Sequence, residues 1–231
     1  PLLLARNDGL SIEQVVIKRL MDIGVSFLML LVCSPIFLIT AAAIKIYDRG
    51  PVFFYQERCT KDGKIFSICK FRSMIVNAEQ KGISVPATEK DSRITPVGQI
   101  IRKLRIDELP QLFNILKGDM SLVGPRPERV EHVKLYSEQI PEFAYRMKVK
   151  GGLTGYAQVY GKYNTTAYDK LKMDLMYIQN YSLLLDIEIL FKTIKILFEK
   201  ESTEGFSEEA SENMERRTEE ETEGGGICGK E

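Results

Sequence analysis

The chain has 231 residues, of which 44% are apolar, so it has enough material for the core of one domain and is not a disordered protein. Its formal net charge is zero, but the charges are unevenly distributed. From Glu199 onward there are 12 acidic and 4 basic residues, whereas residues 1–198 carry 20 acidic and 28 basic ones. A basic body suits a phosphorylated substrate or anionic lipid. No recognised nucleic-acid motif accompanies it, so we expect no nucleic-acid partner.

An apolar run over residues 23–44 is the first predicted element, with basic residues on both flanks. As a straight helix its 22 residues reach roughly 33 Å, enough to cross a hydrocarbon core of about 30 Å. Ser34-Pro35 lies near its middle. Because proline removes a backbone hydrogen bond and crowds the preceding turn, this dipeptide predicts a kink.

Three arrangements of this run are open from the residues alone. The first is a kinked helix that spans the membrane. The second is a re-entrant hairpin that enters and leaves on one face, which basic residues on both flanks fit under the positive-inside rule. The third, a cleaved signal peptide ending near Ala41-Ala42-Ala43, ranks last because the run is longer than the usual 7 to 15 or so residues.

Short strands and helices follow, and they predict an α+β domain. Strands over residues 52–56 and 65–71, joined by a turn at Lys61-Asp62-Gly63, form a predicted hairpin. Thr95 before Pro96 is typical of an N-cap followed by the first helical residue, which predicts a helix over residues 96–103.

The segment over residues 105–111 contains the strongest candidates for chemistry, the adjacent acids Asp107 and Glu108. Asp107 is a good N-cap residue and Pro110 fits a first turn, so a helix is predicted over residues 109–116, closed by Gly118. The positive end of the helix dipole and the nearby cations would favour ionised carboxylates that attack an electrophile or bind a metal. The same pair is also typical of an ordinary capped surface helix. The upstream cations are Arg102, Lys103 and Arg105.

Several basic residues near the acids are suited to phosphate. Arg126 follows a predicted strand over residues 121–123 and lies between Pro125 and Pro127, which restrict the backbone and present the guanidinium at a low entropic cost. Arginine binds phosphate through two oxygens, and lysine binds it as a point charge. Each of these residues is equally typical of a surface cation or a lipid-headgroup contact, but together they favour an anionic substrate. The other candidates are Arg58, Lys70 and Arg72.

The last elements are a loop over residues 150–155 and helices over residues 168–181 and 183–198. In the final helix, charged residues share one face and apolar residues cover most of the rest, which is typical of a helix on a bilayer or of a core helix with one wet face. The charged residues are Glu188, Lys192, Lys195 and Glu199. The four cysteines lack paired-ligand spacing and the single histidine, His132, lies on a predicted exposed helix, so the sequence indicates no disulfide framework, no zinc site and no Ser-His-Asp triad.

Five short motifs follow one another behind the apolar run. They are Gln56-Glu57-Arg58, Lys70-Phe71-Arg72-Ser73-Met74, Asp107-Glu108-Leu109-Pro110-Gln111-Leu112, Gly118-Asp119-Met120-Ser121 and Gly124-Pro125-Arg126-Pro127. Each motif alone is weak, but their order and spacing over residues 18–198 resemble the monotopic phosphoglycosyl transferases, the bacterial sugar transferase family. The resemblance implies transfer of a sugar 1-phosphate from a UDP-sugar to a polyprenyl phosphate such as undecaprenyl phosphate, which releases UMP and starts surface-glycan assembly.

The resemblance also implies roles for individual residues. Asp107 would be the nucleophile that forms a phosphosugar-aspartate, and Glu108 would be a ligand of the cofactor Mg²⁺. Arg126 and nearby cations would hold the transferred phosphate. The remaining candidates for substrate binding, which could equally support the fold, are Arg58, Lys70, Arg72, Arg102 and Arg105.

The architecture implied is a kinked re-entrant membrane helix hairpin joined to a small cytosolic globular domain with short antiparallel strands and interfacial amphipathic helices. The expected divisions are an N-terminal arm (residues 1–16), the re-entrant helix broken at Ser34-Pro35 (17–48), the catalytic domain (49–200) and an acidic disordered tail (201–231). The expected location is the bacterial inner membrane, with the catalytic domain on the cytoplasmic face and in contact with membrane lipid. A homodimer is left open.

The chain departs from the family pattern at residues 150–160. Gly151 and Tyr156 stand where the family usually has proline and tryptophan, and the chain contains no tryptophan. We expect altered substrate preference and retained activity. Two alternatives to transfer are a membrane-anchored interaction protein without catalysis and a Mg²⁺-dependent phosphatase that releases free sugar phosphate.

Overall fold

The computed structural model describes residues 11–76, 78, 91–161 and 166–198. Seven helices and four strands are described in this part of the chain, so the α+β prediction is confirmed. The helices are α1 (Ile12–Asp48), α2 (Pro96–Lys103), α3 (Gln111–Lys117), α4 (Val130–Gln139), α5 (Tyr156–Tyr160), α6 (Ala167–Gln179) and α7 (Leu183–Phe198). The strands are β1 (Phe53–Cys59), β2 (Ile65–Phe71), β3 (Ser121–Val123) and β4 (Gly152–Thr154). The predicted acidic tail and most of the N-terminal arm lie outside the described residues.

Helix α1 is 37 residues long and is the one described helix that is long and apolar enough to cross a membrane. It starts with a capping box in which Ser11 Oγ accepts from the amide of Gln14 and Gln14 Oε1 accepts from the amide of Ser11. The helix continues through Ser34 and Pro35, where the sequence predicts a break. Pro35 cannot donate to the carbonyl of Leu31, and Ser34 Oγ donates to that carbonyl at 2.8 Å. A re-entrant hairpin stays a prediction.

The two faces of α1 differ in polarity. The face that packs on the domain buries Lys18, Asp22, Ser26, Thr40 and Ile44. The opposite face exposes large apolar side chains along the whole helix, including Leu20, Phe27, Leu31, Leu38 and Ile39. The fully buried side chains of α1 are therefore mostly polar, whereas many of its exposed side chains are large and apolar.

Strands β1 and β2 form the predicted antiparallel hairpin. Phe53 pairs with Phe71 and Cys59 pairs with Ile65, so β1 extends three residues beyond its predicted end. The predicted turn is a single 3₁₀ turn over Lys61–Gly63, with φ of 58° at Asp62 and 72° at Gly63. The second strand has its predicted bounds, and its buried side chains cover helix α3.

Strands β3 and β4 pair in parallel, with Ser121 beside Gly152 and Val123 beside Thr154. The prediction of a loop over residues 150–155 is therefore wrong for β4, and the prediction of antiparallel strands holds for β1 and β2 and is wrong for β3 and β4. The backbones approach closely here, since a Cβ on Gly152 would lie 2.1 Å from the amide nitrogen of Gly124. The main core packs around this pair, and its fully buried members include Leu112, Ile115, Met120, Tyr177 and Ile189.

Three of the predicted helices have the expected position. Helix α2 has the predicted bounds, and the predicted cap is present because Thr95 Oγ1 accepts from the amide of Gly98 at 2.9 Å. Helix α7 also matches, and α6 differs from its prediction by one residue at the start and two at the end. Helix α3 begins later than predicted, and this change alters the position of the two acids.

Candidate active site

Asp107 and Glu108 lie in a 3₁₀ turn over Ile106–Glu108 that precedes α3. The prediction that Asp107 is the N-cap of the helix is wrong, because α3 begins at Gln111 with Pro110 in the capping position. Arg105, the residue just before the turn, has a φ of 57°, so the backbone changes direction immediately before the two acids. Gly118 ends α3 with a φ of 98°, as the sequence predicts.

Glu108 forms ion pairs with two of the predicted cations. Its Oε1 atom accepts from Lys70 Nζ at 3.0 Å and from Arg126 Nη2 at 2.6 Å. Only 15% of the Glu108 side chain is exposed. Burial by itself raises the pKa of Glu108, but Arg126 and Lys70 outweigh burial and hold that pKa well below its usual value. Glu108 is therefore ionised at neutral pH.

Asp107 has a different environment although it is adjacent in the chain. Burial raises the pKa of the Asp107 carboxyl and Glu108 raises it further, while Lys70 and Arg102 lower it only in part. The net pKa lies above the ordinary aspartate value. The prediction that both acids ionise more readily than usual is correct for Glu108 and wrong for Asp107.

Asp107 faces a cavity of about 490 Å³ between the β1–β2 hairpin and α2. This volume is within the range of roughly 300–1,000 Å³ that is typical of small-molecule sites. Asp107 is the only acid among the described residues that line it, and Phe53, Phe54 and Phe71 supply apolar wall. Six cations also line the cavity: Arg58, Lys70, Arg72, Arg93, Arg102 and Arg129. Such a cavity suits an elongated anion with an aromatic or apolar part.

Four of the cations predicted from the sequence thus lie in one cavity with Asp107, namely Arg58, Lys70, Arg72 and Arg102. Arg126 reaches the site through its ion pair with Glu108 and does not line this cavity. Arg105 is exposed and is not among the lining residues, so its prediction as a substrate-binding residue has no support from position.

Two lining residues were missed by sequence reasoning. Arg129 pairs through its backbone with Arg58, and its place directly after the Pro125-Arg126-Pro127-Glu128 segment could have identified it. Arg93 lies outside every predicted element, and Asp91 holds its guanidinium through bonds of 2.6 to 3.1 Å. No sequence signal distinguishes Arg93 from an ordinary surface cation.

Arg126 belongs to a segment, residues 125–128, in which all four backbone carbonyls accept a hydrogen bond from another part of the chain. These bonds add to the rigidity that the two prolines predict. The pairs are Pro125 with the Gly152 amide (2.9 Å), Arg126 with Arg146 Nη2 (3.1 Å), Pro127 with Arg58 Nη1 (3.2 Å) and Glu128 with the Cys59 amide (2.9 Å).

Arg72 links the cavity to helix α1. Its guanidinium forms an ion pair with Asp48 at the last turn of that helix, although Arg72 is itself buried. Its Nη1 and Nε atoms have no hydrogen-bond partner among the described residues. A buried guanidinium with unpaired donors beside a cavity is suited to an anionic ligand.

The acids fit one kind of magnesium site. Among the described residues, no three His, Cys, Asp or Glu side chains cluster closely enough to hold a metal ion by themselves. Magnesium commonly uses one or two carboxylates and completes its shell with water and substrate phosphates. Both contacts of Glu108 use Oε1, so its Oε2 and the Asp107 carboxylate are the oxygens that could hold such an ion.

Comparison with known proteins shows which family the chain belongs to. The family model described as bacterial sugar transferase matches residues 13–200, and the chain belongs to that family. The chain is 49% identical over 184 residues to a UDP-N-acetylgalactosamine-undecaprenyl-phosphate N-acetylgalactosaminephosphotransferase of Aeromonas hydrophila, which covers 78% of this chain and 43% of that protein.

Two further relatives differ in length. A UDP-glucose:undecaprenyl-phosphate glucose-1-phosphate transferase of Klebsiella pneumoniae is 45% identical over 184 residues, covering 78% of this chain and 39% of that protein. The chain therefore spans about two-fifths of the length of these first two relatives. An uncharacterised sugar transferase of Bacillus subtilis is 42% identical over 180 residues, and the match covers 86% of its length.

Proposed function

We propose that the protein transfers a sugar 1-phosphate from a UDP-sugar to a polyprenyl phosphate, with undecaprenyl phosphate as the acceptor, and thereby starts the assembly of a bacterial surface glycan. The observation that carries this proposal is the cation-lined cavity in which Asp107 is the acid facing the ligand space. The activities for which the relatives from Aeromonas and Klebsiella are named support the same reaction class.

In the first half of the proposed reaction, the diphosphate of the UDP-sugar lies among the cavity cations. A carboxylate oxygen of Asp107 attacks the phosphorus that bears the sugar, and the bond from that phosphorus to the bridging oxygen breaks. UMP leaves with the bonding electrons, and the product is a phosphosugar-aspartate. Lys70 and Arg102 both lower the pKa of Asp107 and so stabilise its ionised form. The same two cations would offset the repulsion between the Asp107 carboxylate and the diphosphate.

In the second half, a phosphate oxygen of the polyprenyl phosphate attacks the same phosphorus and releases Asp107 as a carboxylate. Splitting one transfer into two displacements replaces a difficult step by two easier ones. Arg126 is charged, and its pKa is raised because Glu108 lies beside it. We infer that its guanidinium shares its donors between Glu108 and the transferred phosphate.

Magnesium is the cofactor that we propose for this site. Glu108, with Asp107 beside it, would hold the ion, and the bound ion would supply positive charge next to the diphosphate. Lys70 and Arg126 hold Glu108 in its ionised form, which is the form that binds a metal.

We also propose that α1 anchors the domain to one face of the cytoplasmic membrane without crossing it as a straight helix. Lys18 near its start pairs with Asp186 of α7, and Asp48 at its end pairs with Arg72. The buried contacts from Lys18 to Ile44 cover about 39 Å of helix, more than the hydrocarbon thickness of about 30 Å. A helix that crossed the bilayer with these contacts intact would draw the domain into the hydrocarbon. A re-entrant or in-plane anchor on the cytoplasmic face avoids this cost.

The outer face of α7 supports the same placement. Apolar side chains at helical spacing are exposed along it, and lysines flank them, as in a helix that lies on a bilayer. The exposed side chains are Leu184, Ile187, Phe191, Ile194 and Leu197. An acceptor phosphate at headgroup level would then be close to the domain that carries Asp107.

The decisive experiment measures UMP release from a panel of UDP-sugars with Mg²⁺ and without polyprenyl phosphate, for the native chain and for Asp107→Asn. We expect a burst of at most one UMP per protein, absent in the variant, that becomes catalytic when polyprenyl phosphate is added. Sustained release of sugar phosphate without acceptor would indicate the phosphatase. Absence of release from a folded, lipid-embedded preparation over the whole panel would favour the anchored interaction protein.

A further inference from the structure

A buried ion pair lies behind the segment that carries Arg126. Arg146, on the 3₁₀ segment Pro141–Lys148, places Nη2 at 2.7 Å from Asp174 Oδ2 on α6. The exposed fractions of these residues are 8% and 1%. The same Nη2 atom donates to the backbone carbonyl of Arg126 at 3.1 Å, and Nη1 lies 3.4 Å from Glu128 Oε1. One guanidinium thus connects α6 with the backbone of Arg126.

We propose that Arg146 and Asp174 are positioning residues that set the direction in which Arg126 enters the active site. This inference rests on the proposed transfer reaction. Asp174 fixes the plane of the Arg146 guanidinium, Arg146 fixes the carbonyl of Arg126, and Arg126 contacts Glu108 at 2.6 Å. Neither Arg146 nor Asp174 lines the cavity that contains Asp107, so their effect on transfer passes through Arg126.

The geometry of this relay requires arginine at position 146. A guanidinium offers donors in a fixed plane, so Arg146 serves Asp174 and the carbonyl of Arg126 at once, with Glu128 beside it. Lysine could keep the charge pair with Asp174, but its ammonium is a point charge on a flexible stem. A displacement of about 1 Å at a catalytic group can lower a rate by roughly 10²-fold. The substitution Arg146→Lys should therefore keep the charge pair with Asp174 and weaken the contact that positions the carbonyl of Arg126.

A double-mutant cycle tests the proposal. The kcat/KM for UDP-sugar is measured for the native chain, Arg146→Lys, Arg126→Ala and the double variant, all embedded in lipid with Mg²⁺ and polyprenyl phosphate. We expect Arg146→Lys to lower kcat/KM by about 10- to 100-fold in the native background and by less than about 3-fold when Arg126 is already alanine. Most of the loss should be in kcat.

A matched control comes from the same helix as Asp174. The Asp169 side chain on α6 is about half exposed, pairs with Lys172 and does not line the cavity, so Asp169→Asn should change kcat/KM by less than about 2-fold. Asp174→Asn should resemble Arg146→Lys in both backgrounds.

Each outcome of the cycle decides the proposal. Equal losses in the presence and absence of Arg126 would overturn it, because they would show that Arg146 acts on the fold as a whole. Failure of both Arg146→Lys and Asp174→Asn to fold, judged by melting in detergent, would also overturn it by making the pair structural. A native chain that folds but transfers no sugar phosphate would overturn both the proposed function and this inference. An active native chain in which the effects of Arg146→Lys and Arg126→Ala simply add would overturn this inference alone.

Discussion

Asp107 and Glu108 are neighbours in the chain, yet the structure shifts their pKa values in opposite directions. Glu108 lies between Lys70 and Arg126, and these cations outweigh its burial. Asp107 is partly buried and forms no ion pair of this kind within the part of the chain that the structure describes, and its pKa rises. Two adjacent carboxylates with separated pKa values are suited to different roles, one as a permanent anion and the other as a group that reacts.

The first prediction concerns the pH dependence of the transfer reaction. A nucleophilic Asp107 must be ionised, so kcat/KM should rise with pH through the Asp107 pKa and fall when the pH is lowered through it. Because burial raises this pKa, the acid limb should lie above the ordinary aspartate value of about 3.9. Lys70→Gln removes a cation that lowers the Asp107 pKa, so the limb should move to higher pH. Initial rates of UMP release over a pH series give the measurement.

The control for this series is Glu57→Gln, since Glu57 is exposed on β1 and does not line the cavity. It should leave the acid limb in place. A limb that stays fixed in Lys70→Gln, or that moves to lower pH, would contradict the assignment of the limb to Asp107.

The second prediction concerns magnesium and Glu108. Removing divalent cations with a chelator should abolish UMP release, and Mg²⁺ should restore it. Glu108→Gln removes the charge that would hold the ion and also leaves Lys70 and Arg126 without their shared carboxylate, so the Mg²⁺ concentration for half-maximal rate should rise at least about 10-fold. The readout is a Mg²⁺ titration of the burst rate. An unchanged titration midpoint in Glu108→Gln would exclude Glu108 as the ligand.

Several elements could be predicted from the sequence because their determinants are local. Thr95 and Pro96 determine the start of α2 by capping and by a preset φ, and α2 begins where they predict. The short, mainly apolar run after the turn at Lys61-Asp62-Gly63 likewise predicts β2 with its observed bounds. The cavity was partly predictable for the same reason, since the motifs with Arg58, Lys70 and Asp107 are short continuous segments.

Other features depend on residues that are distant in the chain. Strand β4 is only three residues long, lies between Gly151 and Gly155, and pairs with β3, so its segment is typical of a loop when read alone. The N-cap predicted at Asp107 was wrong because Arg105 adopts a positive φ and starts a 3₁₀ turn. The pairs Lys18–Asp186 and Arg146–Asp174 join elements far apart, and no local pattern indicates them.

The third prediction concerns Gly151, where the family usually has proline. The amide of Gly151 donates to Thr60 Oγ1 at 3.1 Å, and a Cβ here would lie 2.5 Å from Pro127 Cγ. Gly151→Pro should therefore lower the free energy of unfolding by about 2 kcal/mol or more, since it removes the donor and adds a steric conflict. Gly151→Ala keeps the donor and should cost less. The measurement is denaturant unfolding in detergent.

Gly24→Ala is the control for Gly151, because no atom outside the helix backbone lies within 4 Å of a Cβ at Gly24. Gly24→Ala should leave the free energy of unfolding unchanged or raise it slightly. Equal stability of Gly151→Pro and the native chain would show that the proline typical of the family is tolerated in this fold.

The fourth prediction concerns the side of the membrane on which the two ends of α1 lie. Ile12 and Tyr47 are exposed, at 84% and 51%, near opposite ends of that helix. In a cysteine-free background, Ile12→Cys and Tyr47→Cys should both react with an impermeant thiol reagent in inside-out vesicles and neither in right-side-out vesicles. Labelling of the two positions from opposite sides would show that α1 spans the bilayer and that the contacts of Lys18 or Asp48 are broken there.

The fifth prediction concerns the attachment of α1 to the domain. Lys18 Nζ lies 2.5 Å from Asp186 Oδ2 and 3.2 Å from the Val123 carbonyl, and Tyr177 donates to Asp186 Oδ1 at 2.7 Å. Asp186→Ala leaves the buried ammonium of Lys18 without its counter-charge, which should cost about 3–5 kcal/mol of unfolding free energy. Lys172→Ala breaks an exposed pair with Asp169 and should cost less than about 0.5 kcal/mol.

Replacing Lys18 as well as Asp186 distinguishes attachment of α1 by the ion pair from attachment by packing alone. Adding Lys18→Met to Asp186→Ala removes the unpaired charge and keeps most of the side-chain volume, so much of the lost stability should return. Denaturant unfolding in detergent measures all three chains. If the double variant is no more stable than Asp186→Ala, the loss comes from the cavity at position 186 or from Tyr177 losing its acceptor, and the charge of Lys18 has no part in holding α1.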